Sequence, residues 1–311
     1  MRAGSSLTIA ILTLSKRRIH MNHQKNTTEA DFLKNYQVEK YEKPSVTVDV
    51  VAFTITEESE KNYRKNTDKK LKVLLMKRND FPFHGRWALP GGFVGLREDL
   101  QAAVQRVLKN KTDLSKAYLE QLYTWGEPDR DPRHRIFSIS YLTLIQSANL
   151  KVKDSSKHYE WFDLSMNKIH TRTEKLPDGE RVITAHVLTF HGEKESFDIT
   201  IEFIQTVKEH LISQSYHIAE NDFIAFDHAK IIAYALKRLR EKIEYTPIAF
   251  SLLPELFTLT QLQQVYETIL NKELLKANFR RKIADMVTET NEYKKDAGHR
   301  PSKLYRFNSK L

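Results

Sequence analysis

The chain has 311 residues, of which 40% are hydrophobic and 10% aromatic, and it carries a formal net charge of +10. This length is about twice that of a typical domain, so we expect two domains, and the apolar content excludes a fully disordered chain. The absence of cysteine excludes a disulfide scaffold, a cysteine-ligated zinc or iron–sulfur site and a thiol nucleophile, and it fits a cytoplasmic location.

The excess positive charge lies at the two ends of the chain. Residues 1–20 contain four basic and no acidic residues, residues 21–223 contain thirty of each, and residues 224–311 contain sixteen basic and ten acidic residues. A basic C-terminal segment of domain size fits either an anionic partner such as nucleic acid or a solvated basic surface. Charge alone favours neither interpretation.

Residues 1–40 are predicted to form a disordered leader. Residues 7–14 are apolar, but they are too few to span a bilayer, which takes about 20 residues. The basic residues 16–18 follow this run, whereas in a secretory signal they would precede it. We therefore expect no membrane segment, and we hypothesise that the natural start is Met21.

The first domain, over residues 41–210, is predicted to contain a mixed sheet with one early helix. A pair of glycines at positions 91 and 92 precedes residues 99–110, in which apolar residues recur at helical spacing. Five segments have the β-branched and alternating composition of strands, at residues 45–55, 71–76, 136–145, 181–190 and 195–203.

A family resemblance begins at the paired glycines. Residues 91–114 read GGFVGLREDLQAAVQRVLKNKTDL, and they resemble the Nudix box, GX5EX7REUXEEXGU, in which U is an aliphatic residue. Aligned without gaps, Gly92, Glu98 and Arg106 match the box. The resemblance implies the Nudix fold, an α/β/α sandwich with a mixed sheet.

The match fails at the glutamates that bind metal in that family. Val107, Asn110 and Lys111 stand at these positions, which share one helix face. Because this face has no carboxylate, we expect no bound metal, no catalytic residue and no hydrolysis by the usual mechanism. The cations Arg78, Arg97 and Lys111 are predicted to hold a pyrophosphate in place of the metal.

Three residues in and near the motif have two interpretations each. Glu98 and Arg106 form either an ion pair between loop and helix or contacts to a ligand. Trp87 belongs either to the core or to the wall of a nucleobase pocket. All three are included among the candidate effector-binding residues.

A second charged cluster precedes the strand predicted at residues 136–145. Arg130, Arg133 and Arg135 alternate with Asp129 and Asp131, which is typical of a solvated loop with local ion pairs. Alternatively, the spacing of Arg133 and Arg135 places both on one side of an extended segment, where they would clamp a phosphate. The DPRxR pattern also resembles a segment of Nudix-related regulators that bind ADP-ribose.

The second domain is predicted over residues 225–311, after a polar linker at residues 211–224. Residues 227–243, 258–270 and 275–286 each have the apolar spacing of an amphipathic helix. A hairpin follows, so the segment fits a winged helix-turn-helix, although a charged helix face is also compatible with plain solvation.

The candidate DNA-binding residues lie on the last helix and at the wing. We predict that Asn278 and Arg281 read bases, and that most of the other residues contact phosphates. The full set is Lys276, Asn278, Arg280, Arg281, Lys282, Lys295, Arg300 and Lys303.

The two domains together resemble NrtR-type transcriptional regulators, in which a Nudix-like domain is joined to a winged helix. The resemblance covers roughly residues 40–165 and 224–307, and residues 166–223 have no clear counterpart in it. It implies a regulator of NAD metabolism genes, with ADP-ribose or a related nucleotide as effector and no cofactor.

We therefore predict a transcriptional repressor that binds a palindromic operator in double-stranded DNA as a homodimer. A first alternative is a Nudix hydrolase that acts on ADP-ribose with displaced carboxylates. A second is an RNA-binding accessory protein, which fits the charge but not the layout of the recognition helix.

Overall fold

The structure, a computed structural model, describes residues 28–57, 69–109, 117–150, 158–219, 221–294 and 301–309. The chain divides into a short unit that ends at Lys43 and a large unit from Pro44 to Leu311. None of the helices in these described ranges is long and apolar enough to cross a membrane.

The described part of the short unit contains one α-helix, α1 (Glu29–Lys34). Thr28 and Asp31 form a reciprocal capping box, in which the Thr28 hydroxyl accepts from the Asp31 amide at 3.1 Å. A 3₁₀ turn follows at Val38–Lys40. The prediction of a disordered leader is wrong for this part, because the capped turn orders it locally. Residues 1–27, including Met21, lie outside the described residues.

Ten strands form one mixed sheet within the described part of the large unit. They follow the path β10-β9-β8-β7-β2-β1-β6-β5, with β3 paired to β2 and β4 to β1. The β1–β6 pairing is parallel and the others are antiparallel. The strands are β1 (Ser45–Glu57), β2 (Lys69–Lys77), β3 (Trp87–Ala88), β4 (Gly91–Phe93), β5 (Tyr118–Trp125), β6 (Ile136–Ile145), β7 (Tyr159–Leu176), β8 (Gly179–His191), β9 (Ser196–Lys208) and β10 (Leu211–Ile218).

Two helices cover the two faces of this sheet, so the predicted α/β/α sandwich is confirmed. Side chains alternate along β1: Val48 and Val50 pack with α2 (Leu100–Leu108), whereas Val51 and Phe53 belong to the core that includes α3 (His228–Lys242). Helix α3 had been assigned to the second domain. Because it packs on the sheet, we propose that the domain boundary follows it.

The predicted linker at residues 211–224 is wrong over its first part. Strand β10 pairs with β9 along its whole length, from Leu211 opposite Lys208 to Ile218 opposite Ile201. Most of its side chains are exposed, so it lacks the apolar alternation that identifies a strand. The predicted strands and helix of the first domain are confirmed within a few residues at each end.

The C-terminal part is a winged helix, as predicted. It contains α4 (Leu259–Leu270), α5 (Lys276–Ile283), and a hairpin of β11 (Val287–Lys294) and β12 (Ser302–Phe307). Helix α5 is shorter than predicted, because Ala284–Met286 form a 3₁₀ turn. Leu275 precedes the helix and is 75% exposed.

The core of the winged helix contains a tyrosine whose hydroxyl group is unsatisfied. Tyr266 is fully buried against Phe279, with ring centroids 5.3 Å apart. Its hydroxyl has no hydrogen-bond partner in the described part of the chain, and burial raises its pKa to about 12.

Tyr266→Phe should therefore increase the free energy of unfolding by about 1 kcal/mol, because it removes a buried polar group that makes no bond. Urea denaturation of both proteins measures this difference. A loss of stability of similar size would mean that the hydroxyl has a hydrogen-bond partner.

Candidate functional site

A cavity of about 260 Å³ opens between β1, β4, the loop before β6 and the start of α3. Its wall carries several aromatic rings and seven charged or titratable groups. The latter are Asp49, Arg78, Asp80, Arg130, Asp131, Arg133 and His228. The site thus brings together residues that are far apart in the chain.

The floor of the cavity is a buried network of charges. Arg130 donates two hydrogen bonds to Asp227, from Nη2 at 2.7 Å and from Nε at 3.0 Å. Arg130 Nη2 also lies 3.7 Å from Asp49, and His228 Nε2 lies 3.6 Å from the other Asp49 oxygen. The Ser138 hydroxyl donates to Asp49 as well. Each buried charge therefore has an opposite charge or a hydrogen-bond donor beside it.

The charge state of Asp49 follows from these partners. Burial acts to raise its pKa, but His228, Ser138 and Arg130 outweigh burial and hold its pKa below the ordinary value. Gly91 is required next to it, because a Cβ there would lie only 2.1 Å from the Asp49 carboxylate. A glycine of the motif therefore serves close packing against a buried carboxylate.

The arginines at the cavity differ in how far their charge is neutralised. Arg133 forms a two-bond pair with Asp131, at 2.7 and 3.0 Å. Arg78, in contrast, donates to the carbonyl oxygen of Pro82 at 2.9 Å and forms no ion pair within the described ranges. Burial, and then the charge of Arg133, lower the pKa of Arg78. Arg78 is therefore the cavity cation best placed to receive an anion.

Two phenylalanines beside these arginines have unusual backbone conformations. Phe83 and Phe226 have φ values of 62° and 55°, and their rings meet at 4.8 Å. The Arg78 guanidinium lies 4.8 Å from the centre of the Phe226 ring. Positive φ in a bulky residue is costly and is concentrated at ligand sites, and Phe226 lines the cavity.

Glu98 and Arg106 form the ion pair that was one of their two interpretations. Arg106 donates to the two Glu98 oxygens at 2.7 and 2.8 Å and to the Phe93 carbonyl at 2.8 Å. Glu98 also accepts from the Gly95 amide at 3.0 Å. These bonds fasten the loop to α2. Neither side chain lines the cavity, and a contact of either one with an effector stays a prediction.

The pair predicts a specific pH dependence of stability. Arg106, and then the Gly95 amide, lower the pKa of Glu98 from 4.5 to about 2. The stabilisation by this pair is therefore complete above the pKa of Glu98 in the unfolded chain. It is lost as the pH falls towards the lower pKa of Glu98 in the folded protein.

Glu98→Gln should cost stability at neutral pH, and this cost should shrink below about pH 4.5 because wild-type Glu98 then becomes protonated on unfolding. Denaturant titrations of both proteins at several pH values between about 3 and 7 measure it. A cost that stays constant over this range would contradict the lowered pKa.

Metal binding has little basis in the described residues. Val107, in α2, is partly buried against the apolar cluster that contains Val48 and Val50, and Glu98 is occupied by Arg106. No cluster of three or more His, Cys, Asp or Glu side chains in the described ranges could hold a metal ion. Asn110 and Lys111 lie outside the described residues. Within the described residues the donor set therefore does not fit the metal that Nudix hydrolases use, and the absence of a bound metal stays a prediction.

The other predicted effector contacts have different positions. Trp87 is 4% exposed and donates from Nε1 to Glu195 at 2.8 Å, so it belongs to the core and its assignment to a nucleobase pocket is corrected. Arg97 is exposed and does not line the cavity, and Arg135 lies over the Phe137 ring at 4.3 Å. Of the predicted clamp, only Arg133 reaches the cavity.

The exposed face of α5 carries most of the predicted base-reading and phosphate-binding groups. Lys276, Asn278, Arg280 and Arg281 are exposed, and Arg281 Nη2 lies 3.4 Å from the Asn278 side-chain oxygen. No ion pair engages these three basic residues within the described part of the chain. The face is therefore available to an anionic partner.

The remaining candidates are engaged elsewhere or lie outside the description. Lys282 is paired with Glu244 at 2.5 Å, and Lys303 with Glu289 at 2.5 Å. Both lysines are therefore paired within the chain, and their assignment as phosphate contacts stays a prediction. Lys295 and Arg300 lie outside the described residues.

Sequence reasoning missed Asp49, Asp227 and His228, and it treated Arg130 only as part of a charged loop. Arg130 and Asp227 are 97 positions apart, and no spacing pattern links residues at that distance. The only local sign was that Asp49 interrupts an apolar strand.

Comparisons with known proteins agree with this architecture. The NUDIX domain model matches residues 63–186, and the model described as the NrtR DNA-binding winged helix domain matches residues 249–307. The second match begins after α3, as does the boundary proposed above.

Three known proteins show how far the similarity extends. The chain is 33% identical over 285 residues to the ADPR responsive transcriptional repressor NtrR of Acinetobacter baylyi, which covers 90% of this chain and 89% of that protein. It matches the crystal structure of Shewanella oneidensis NrtR complexed with a 27mer DNA, with a TM-score of 0.56, 28% identity, and coverage of 85% and 93%. It is 41% identical over 98 residues to an ADP-ribose pyrophosphatase of Methanocaldococcus jannaschii, covering 32% of this chain and 58% of that enzyme.

Proposed function

Because this chain belongs to the NrtR family of regulators, in which a Nudix domain is joined to a DNA-binding winged helix, we propose that it is a transcriptional repressor controlled by ADP-ribose or a related nucleotide. The winged helix binds double-stranded DNA, and the Nudix domain binds the effector. Its targets are genes of NAD metabolism. The protein acts as a homodimer on a palindromic operator, because one winged helix reads too few base pairs for specificity.

One observation carries the effector half of this proposal. Arg78 faces the cavity beside Phe226 without an ion-pair partner in the described ranges, whereas the neighbouring Arg133 is paired with Asp131. A pyrophosphate brings negative charge, and a guanidinium binds it through directed, charge-assisted hydrogen bonds. An aromatic rim beside such a cation also suits a nucleotide.

We also propose that the Nudix domain binds its nucleotide without hydrolysing it. Val107 replaces a carboxylate that Nudix hydrolases use to hold metal, and Glu98 is occupied by Arg106. The alternative, an ADP-ribose hydrolase, is favoured by the similarity to the pyrophosphatase of Methanocaldococcus jannaschii.

Calorimetric titration with ADP-ribose, with and without magnesium, separates these alternatives. We expect the same affinity in both buffers, no release of AMP, and at least a tenfold loss of affinity in Arg78→Ala. Magnesium-dependent AMP release would establish the hydrolase, and unchanged affinity in Arg78→Ala would move the effector site elsewhere.

The DNA half is tested by selecting duplexes from a random library with the full chain and measuring their binding by fluorescence anisotropy. We expect a two-fold symmetric consensus and a change of affinity when ADP-ribose is added. Failure to enrich any sequence would contradict the regulator.

A further inference from the structure

Helix α3 connects the effector cavity with the winged helix. His228 begins the helix and lines the cavity, and Asp227 directly before it bonds to the cavity residue Arg130. Arg240 and Glu244 lie at the other end of the helix. Its fifteen residues span about 22 Å. A displacement of α3 at the cavity end can therefore move the residues at its other end, beside the winged helix.

At the cavity end, the Asp227 carboxylate can bond either to Arg130 or to the first turn of α3, but not to both at once. It stands at the N-cap position of α3, where an aspartate normally accepts from the helix amides, yet its side chain makes no capping hydrogen bond. Both carboxylate oxygens instead accept from Arg130. The same carboxylate thus has two alternative partners, the guanidinium and the first turn of the helix.

The backbone at this point differs from that of an ordinary helix cap. Asp227 has φ −94° and ψ 17°, whereas capping residues are usually extended, and Phe226 before it has φ 55°. Phe226 also contacts the cation Arg78, whose guanidinium lies 4.8 Å from the centre of its ring.

Arg130 is the group for which an effector would compete. Its side chain is 4% exposed, lines the cavity and is held by carboxylates alone, Asp227 and Asp49. Phosphate and carboxylate bind guanidinium in the same two-bond geometry. A pyrophosphate in the cavity can therefore replace Asp227 as the partner of Arg130.

At the other end, α3 holds three parts of the winged helix. Arg240 Nε donates to the carbonyl of Ile269 near the end of α4 at 2.9 Å. Glu244, just beyond the helix, pairs with Lys282 of α5 at 2.5 Å and with Lys272 of the turn at 3.5 Å. These contacts set the position of the recognition helix relative to α3.

We propose that Asp227 is a two-position latch through which the effector controls DNA binding. Without effector, Asp227 holds Arg130. When the effector's pyrophosphate takes Arg130, Asp227 caps α3, and the helix moves as one body because its apolar face is packed along its length. Arg240 and Glu244 transmit the movement to α5. This mechanism rests on the proposed function and supplies the two-state element that coupling between distant sites requires.

Asp227→Asn tests the latch at the cavity end. Asparagine caps a helix as well as aspartate does, but it holds Arg130 without charge, so this variant should adopt the effector-bound state on its own. We measure the dissociation constant of the selected DNA with and without saturating ADP-ribose. The ratio compared between variants is the larger of these two constants divided by the smaller. The effector-free affinity should shift to the wild-type value with effector, and the ratio should fall below twofold, while ADP-ribose binds at least as tightly as to the wild type.

Glu127→Gln is the matched control. It removes a carboxylate whose side chain pairs with Lys230 in the first turn of α3, and not with Arg130. It should keep the wild-type ratio. A reduced ratio in this control as large as in Asp227→Asn would assign the effect to general loosening of the helix and overturn the latch.

Glu244→Gln tests the other end, where the exposed pair carries little risk for folding. ADP-ribose affinity measured by calorimetry should be unchanged, and the ratio of DNA affinities should fall at least fivefold. A wild-type ratio in either Asp227→Asn or Glu244→Gln overturns the proposal while leaving the proposed function intact. Absence of an ADP-ribose effect on DNA binding by the wild-type chain overturns both.

Discussion

Replacing Arg130 with methionine should lower the free energy of unfolding by about 3–5 kcal/mol. Methionine keeps the apolar stem of the side chain, but it lacks the guanidinium, so Asp49 and Asp227 lose their shared cation inside the protein. A buried carboxylate without a counter-charge is among the most costly defects a folded chain can contain. Urea denaturation at neutral pH measures the loss.

Arg172→Met is the control for this prediction. Arg172 also bonds to carboxylates, Glu202 and Glu174, but its side chain is 47% exposed, and exposed pairs contribute at most about 1 kcal/mol. Equal losses in the two variants would show that water reaches the Arg130 network.

Arg281→Ala should weaken binding to the selected operator by about 1–3 kcal/mol, or about 5- to 150-fold, and the loss should concentrate at one base-pair position. Arg281 is exposed on α5 next to Asn278, where a guanidinium can donate two bonds to a guanine edge. Anisotropy titrations with the operator, its point variants and random DNA make the measurement.

Arg280→Ala supplies the contrast on the same helix. As a phosphate contact, Arg280 should affect all sequences alike, and its removal should reduce the salt dependence of binding by about one unit. If Arg281→Ala weakens every duplex equally, Arg281 belongs to the phosphate class. If Arg280→Ala weakens only the operator, the two roles are exchanged.

The elements predicted correctly are those in which burial imposes a period on the sequence. Residues 136–145 were predicted as a strand and form β6, because most of their side chains are buried. The second half of β7, residues 167–176, is mostly exposed, and so is β10. Exposed antiparallel strands are specified by pairing with neighbours, which leaves no apolar alternation to detect.

At the site, only contacts between residues close together in the sequence could be predicted. The Glu98–Arg106 pair joins residues eight positions apart within a recognisable motif, so it was among the alternatives. The Arg130–Asp227 contact depends on α3 folding back onto the sheet, and α3 had been assigned to the other domain. When a helix is assigned to the wrong domain, none of its contacts with the other domain can be predicted from the sequence.

The apolar core of the large unit continues from the sheet through α3 into the winged helix. One cluster of buried side chains contains Phe53 and Leu75 of the sheet, Leu236 of α3, and Tyr266 and Phe279 of the winged helix. A core shared in this way favours a single cooperative melting transition in place of two. A small molecule that stabilises the Nudix domain by binding its folded state would then also raise the melting temperature of the winged helix. A thermal-shift screen would report on both halves of the molecule through one transition.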